Sequence, residues 1–130
     1  MNKKITIIWE RLVEDNRTCP RCSSTGEELE QAVALLKPVL SQAGVELSVE
    51  QRALTLEEFR QDPLRSNRIL INSKPLESWL AARTGASPCC DVCGPARCRT
   101  VELENRTYEA VPAELIVQAV LNALQELRQQ

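Results

Sequence analysis

Lys4-Ile5-Thr6-Ile7-Ile8-Trp9, a polar run, Cys19-Pro20-Arg21-Cys22, and then Leu29, Ala32, Val33, Leu36 and Leu40 form the stretch on which the fold turns. The first six residues are rich in β-branched side chains. Three isoleucines and a tryptophan within five positions predict a buried strand rather than one with a wet face. Glu14-Asp15-Asn16-Arg17-Thr18 is polar enough to be a loop. The apolar residues from Leu29 onward recur at spacings of three and four, which predicts a helix that Gly44 stops. Pro38 falls inside that pattern and should bend its last turns. A cysteine pair thus sits between a strand and a helix.

Working outward, Val45-Glu46-Leu47-Ser48-Val49-Glu50 alternates strictly and reads as a second strand, half wet. Thr55 and Glu58 make a capping box for a short helix ended by Pro63. Ile69-Leu70-Ile71 is a third strand, and Pro75 to Arg83 reads as one or two helical turns closed by Gly85. Thr100–Leu103 and Thr107–Ala110 flank Glu104-Asn105-Arg106 as a hairpin. Pro112 opens a last helix at its first position, with Leu115, Ile116, Ala119, Val120, Ala123 and Leu127 along one face. This is an α/β order with one βαβ crossover and a closing antiparallel pair.

The chain has 130 residues, of which 43% are hydrophobic, enough for one core and one domain over 1–130. Its 16 basic and 18 acidic residues nearly cancel and form no basic block, so no nucleic-acid partner is expected. No segment approaches the about 20 apolar residues of a membrane span. The apolar stretch after Lys3 and Lys4 ends at Glu10, short of a signal-peptide core. These features predict a cytoplasmic protein with no membrane partner, in a compartment where structural disulfides do not persist.

Six cysteines then need an account: Cys19, Cys22, Cys89, Cys90, Cys93 and Cys98. Small buried hydrophobes are the bland explanation. Scattered core cysteines do not fall into two tight groups with two Cys-x-x-Cys spacings. Histidine is absent, which excludes Cys-His catalytic pairs and mixed Cys/His zinc sites.

A Cys-x-x-Cys pair at the start of a helix has a defined use. Unpaired N–H groups and the helix dipole stabilise a thiolate there and lower the first cysteine's pKa. Proline is favoured at the first helical position, so Cys19 would cap the helix as nucleophile and Cys22, one turn on, would resolve the mixed disulfide. Thr25 and Glu28 offer a competing capping box. It would start the helix after Cys22 and leave both cysteines on a loop, as in a metal-binding knuckle.

In these features the sequence resembles the thioredoxin-like superfamily. The run Ile69 to Leu80, with Asn72-Ser73-Lys74-Pro75 and Trp79, resembles glutaredoxin-type strands. Together with Cys89-Cys90-Asp91-Val92-Cys93-Gly94 it resembles a small prokaryotic thioredoxin-like family of unknown function. The resemblance implies a three-layer α/β/α fold with a mixed four-stranded sheet and a cysteine-rich insertion, about residues 74–99, between the third and fourth strands. It also implies thiol-disulfide oxidoreductase chemistry at Cys19 and Cys22, without a cofactor, on protein thiols or disulfides. One position departs from the family: Ser66-Asn67-Arg68 stands where thioredoxins carry a proline facing the disulfide, which favours a metal at the pair more than in a typical thioredoxin.

The second group supplies four thiols in ten positions. Cys90-x-x-Cys93-Gly94 has the shape of a knuckle, in which glycine lets the backbone turn beneath the sulfurs. Cys89 and Cys98 would complete a Cys₄ zinc site, Cys89 being the poorest ligand because it adjoins Cys90. Three thiolates alone suit cuprous copper, mercury or arsenite. The alternatives are a non-enzymatic metal-binding protein, a structural zinc clip on a scaffold, or a further redox pair. A single ion shared by both groups is disfavoured: the third strand should end at the edge away from Cys19, and a strand of four or five residues sets those edges roughly 15 Å apart unless the insertion folds back. Trp9 and Trp79 are expected as core anchors rather than ligand-stacking rings, and Glu10 as a solvated strand-end carboxylate rather than a proton acceptor for Cys22.

Overall fold

The computed structural model describes the backbone of residues 3–13, 20–88 and 97–129, and the side chains of 3–13, 24–87 and 99–129. The first strand, β1 (Lys3–Leu12), runs past Trp9 for three more residues. It is central to a four-stranded sheet of order β2-β1-β3-β4, with β2 at Val45–Leu54, β3 at Arg68–Ile71 and β4 at Lys74–Pro75. β2 lies parallel to β1 from Lys3↔Val45 to Leu12↔Leu54. β3 is antiparallel, from Ile7↔Ile71 to Glu10↔Arg68. The sheet is therefore mixed. A parallel pair requires a crossover, and α1 (Pro20–Gln42) supplies it, continuing through Pro38.

Ile5, Ile7 and Trp9 share one face of β1 and are buried there by Leu29, Ala32, Leu36 and Leu40 of α1 together with α4 (Ala113–Arg128). The apolar stripe of α4 is the expected one, Leu115, Ile116, Ala119, Val120 and Ala123, with Leu124 added. Pro112 stands one position earlier than expected, at the cap. Helix α1 passes so close to β1 that a Cβ on Gly26 would lie 2.7 Å from Trp9 Cη2. Only glycine fits.

α2 (Leu56–Gln61) begins with the expected capping box: Glu58 N donates to Thr55 Oγ1 at 3.1 Å and Thr55 N to Glu58 Oε1 at 3.0 Å. The backbone N–H and hydroxyl of Thr55 hold the Glu58 carboxyl below its ordinary value. A 3-10 turn at Pro63–Arg65 then leads into β3.

The fourth strand differs from expectation. Asn72 and Ser73, both at positive φ, turn β3 straight into β4, so nothing is inserted between the third and fourth strands. Asparagine tolerates the left-handed region that such a two-residue turn needs. The cysteine-bearing stretch comes later, after α3 (Leu76–Leu80), which ends at Ala81 (φ 56°) rather than at Gly85. Gly85 lies in β5 (Arg83–Pro88), where a Cβ would meet Thr100 Oγ1 at 2.5 Å. β6 (Arg97–Leu103) and β7 (Arg106–Tyr108) form the expected hairpin, turned by Glu104 and Asn105 at positive φ. It joins β5 in a second sheet, β5-β6-β7, and not the first.

A buried ion pair fastens that sheet to the rest. Arg99 Nε donates to Glu77 Oε2 at 2.7 Å, and its Nη1 donates to the Leu64 carbonyl at 2.7 Å. Thr84 Oγ1 donates to the same carboxylate oxygen at 2.9 Å and accepts from Arg99 Nη2 at 3.2 Å. Both charged side chains are under one-tenth exposed. Removing one partner strands the other charge, so Glu77→Leu is expected to cost about 3–5 kcal/mol in urea unfolding. Glu77→Leu with Arg99→Met should recover much of that loss. Equal losses in the single and double variants would show that the pair does not join the two sheets.

Candidate functional site

The carboxyl end of β1 is where the candidate chemistry gathers. α1 starts at Pro20, the residue after Cys19, which places Cys22 in its first turn. Cys19 itself lies outside the described residues. Thr25 and Glu28 do not open the helix: Thr25 Oγ1 accepts from Val111 N at 3.0 Å and Glu28 Oε1 from Ala113 N at 3.2 Å. They receive the backbone N–H groups at the approach to α4. The helix start falls before Cys22.

Ser66, Asn67 and Arg68 come to this same edge because β3 begins where β1 ends. Asn67 N donates to the Glu10 carbonyl at 2.8 Å, and Leu12 N to Ser66 Oγ at 3.4 Å. Asn67 takes φ 66°, and no described peptide bond is cis. Its side chain is buried and accepts from Trp9 Nε1 at 3.0 Å, while its amide donates to the Glu109 carbonyl at 3.4 Å. Trp9 is accordingly a core anchor. Trp79 is another, donating to the Ile71 carbonyl at 2.9 Å beneath Lys74.

Glu10 departs from expectation. It is 1% exposed, not solvated. Its Oε2 accepts from Arg65 Nη2 at 2.6 Å and its Oε1 from Arg68 Nε at 2.6 Å. The carboxylate raises the Arg65 pKa above its ordinary value, chiefly through that hydrogen bond. With both oxygens held by guanidinium groups, Glu10 binds the start of β3 to the end of β1 and is not presented to a thiol.

Cys89, Cys90 and Cys93 lie outside the described residues. The backbone of Cys98 is placed in β6, opposite Ser87 in the β5 ladder, and the pair Pro88↔Arg97 closes the segment 89–96. Among the described residues no group of three or more potential metal ligands occurs. The strands flanking the second cysteine group do not stay at the far edge. Arg99 reaches Leu64, and Ser87 Oγ hydrogen-bonds Glu109 Oε2 at 3.1 Å, beside Asn67. The inserted sheet folds back to the edge at which α1 begins, which removes the geometric reason for keeping the two cysteine groups apart.

Arg11 escaped the sequence reading, as did the hydrogen bond of Asn67 to Trp9 and the Glu77–Arg99 pair. A signal for Arg11 existed: Trp9-x-Arg11 on a strand puts a cation and an aromatic ring on one face. No local pattern marks partners 22 positions apart, such as Glu77 and Arg99.

A mixed four-stranded sheet with a crossover helix that has Cys22 in its first turn, beside a second sheet whose β6 contains Cys98, defines the class of this chain. The chain belongs to the family described as a domain of unknown function, DUF2703, which matches residues 5–120 and so spans both cysteine groups. It is similar to an uncharacterized protein of Archaeoglobus fulgidus, 46% identical over 113 residues that cover 87% of this chain and 82% of that protein. No solved structure matches it. Among the described residues no helix is long and apolar enough to cross a membrane.

Because Glu10 bridges two arginines at the candidate site, Glu10→Leu is expected to lower stability by about 2 kcal/mol, the scale of a charged hydrogen bond. Arg65 and Arg68 are each about one-third exposed, and solvent limits the cost. Urea unfolding checks this. A loss near zero would mean that water serves the two guanidinium groups as well as the carboxylate does.

Proposed function

We propose that this protein is a thioredoxin-like thiol–disulfide exchange module, with Cys19 as nucleophile and Cys22 as resolving thiol. The observation that carries this reading is the start of α1 at Pro20, at the carboxyl end of β1. The sheet order β2-β1-β3-β4, with β1 and β2 parallel and β3 and β4 antiparallel, supports it, being the arrangement of thioredoxin-like domains. A helix N-terminus favours the thiolate over the thiol.

The reaction is a balanced exchange. The Cys19 thiolate attacks one sulfur of a partner disulfide, forming a mixed disulfide and releasing the partner's other sulfur as thiolate. The Cys22 thiolate then attacks the Cys19 sulfur, closing the Cys19–Cys22 disulfide and freeing the second partner thiol. Two electrons pass to the partner. The protein needs no cofactor for this step.

A second reading concerns Cys89, Cys90, Cys93 and Cys98. The ladder pair Pro88↔Arg97 flanks the eight residues 89–96, three of which are these cysteines, and Cys98 follows directly. Such a set suits zinc or a softer thiophilic ion. Elemental analysis of anaerobically purified protein, with a thiol count before and after denaturation, tests it.

The exchange reading is tested by Cys22→Ser. This variant should trap a mixed disulfide at Cys19, because the attacking sulfur stays while the resolving one is gone. Activity on a general disulfide substrate should be weak, since Ser66 and Asn67 replace the substrate-facing proline. Loss of bound metal without any trapped partner would assign the pair to metal binding instead. Mild oxidation that leaves Cys19 and Cys22 as free thiols would sink the exchange mechanism.

A further inference from the structure

Arg11 is a cation at this edge that no carboxylate among the described residues claims. It stands two residues beyond Trp9 on the same face of β1, with its guanidinium carbon 4.9 Å from the indole centroid. Its Nε is buried and finds no acceptor among the described residues. The neighbouring cations are taken. Arg65 and Arg68 pair with Glu10 on the opposite face of β1, and Arg52 of β2 pairs with Glu50. On α1, Glu28 accepts from the approach to α4, while Glu27 and Glu30 are exposed. Opposite Arg11 in the ladder stands Ala53, which brings no charge. A buried guanidinium nitrogen without a partner calls for an anion.

The level of Arg11 along the sheet says which anion is at hand. Trp9 is level with Gly26, since a Cβ there would touch its ring. A crossover helix between parallel strands runs opposite to them. Two residues further along β1 advance about 7 Å at the ordinary strand rise. Four residues back along α1, from Gly26 to Cys22, recover about 6 Å. Arg11 and Cys22 therefore share a level at the helix start.

We propose that Arg11 is the positioning residue of the cysteine pair: held by Trp9 and paired with no carboxylate among the described residues, its guanidinium is the counter-charge for the thiolate formed at the start of α1. This rests on the exchange reading above. It adds to the helix dipole a charge whose position the core fixes, because Trp9 is itself pinned between Gly26 and Asn67.

The test uses the full reduced chain and three variants, Arg11→Met, Arg11→Gln and Arg11→Lys. Iodoacetamide alkylation of Cys19 is followed from pH 5 to 9 by peptide mapping, beside the urea midpoint of each protein. Methionine keeps the apolar stem on Trp9 and removes only the charge. Arg11→Met is expected to move the inflection of the rate profile upward by about one pH unit, with alkylation about tenfold slower below it. Arg11→Lys should keep most of the wild-type profile, and Arg11→Gln should follow methionine if the methionine variant does not fold. A folded neutral variant with an unchanged profile overturns the proposal alone. Equal shifts in all three variants, with lowered midpoints, also overturn it by showing a packing role. A wild-type inflection at the ordinary cysteine value of about 8.5 would remove the stabilised thiolate and overturn the exchange reading as well.

Discussion

The indole of Trp9 is the constraint on which the rest of the structure depends. Its ring lies where a side chain on Gly26 would stand, so it sets how closely α1 crosses β1. Its Nε1 is held by Asn67, which brings the start of β3 to the end of β1. Its face carries Arg11. Helix, neighbouring strand and unclaimed cation are thus located by one 1%-exposed side chain. Because the indole N–H is satisfied inside the core, the ring has one orientation and passes that definition to its neighbours.

Around that anchor the two buried carboxylates among the described residues sit in separate settings. Glu10 with Arg65 and Arg68 closes the β1–β3 edge, whereas Glu77 with Arg99 binds the second sheet to α3 and the 3-10 turn. Each replaces hydration by several aligned hydrogen bonds, which such pairs need if they are to be tolerated in the interior. The second of them holds the second sheet against α3 and the turn that precedes β3.

What the sequence by itself determined was whatever has a local cause. The β-branched run at Ile5–Trp9, the three- and four-residue spacing of Leu29 to Leu40, the Thr55–Glu58 box, the Glu104-Asn105 turn and the stripe of α4 each depend on neighbours in the chain. All appear as elements. The cysteine spacing, too, is a local signal and drew attention to the first turn of α1. Even so, the choice between a helix starting at Pro20 and one starting at Thr25 was open, because both have good capping chemistry. Val111 and Ala113 decided it by donating to Thr25 and Glu28 from 86 and 85 positions away.

What only the tertiary structure decided was which surfaces meet. Glu10 reads as a solvated strand end until Arg65 and Arg68, 55 and 58 positions on, close over it. Asn72-Ser73 reads as the end of a strand until the turn brings Pro75 opposite Leu70 and makes a fourth strand of only two residues. The hairpin at Arg97–Tyr108 carries the right alternation but no mark of the sheet it joins, and Arg99 docks it against Glu77 and Leu64. The physical reason is common to all three. Backbone propensity and periodicity act over a few residues, whereas the pairing of buried charges and the docking of one sheet on another depend on groups that approach only when the core has formed.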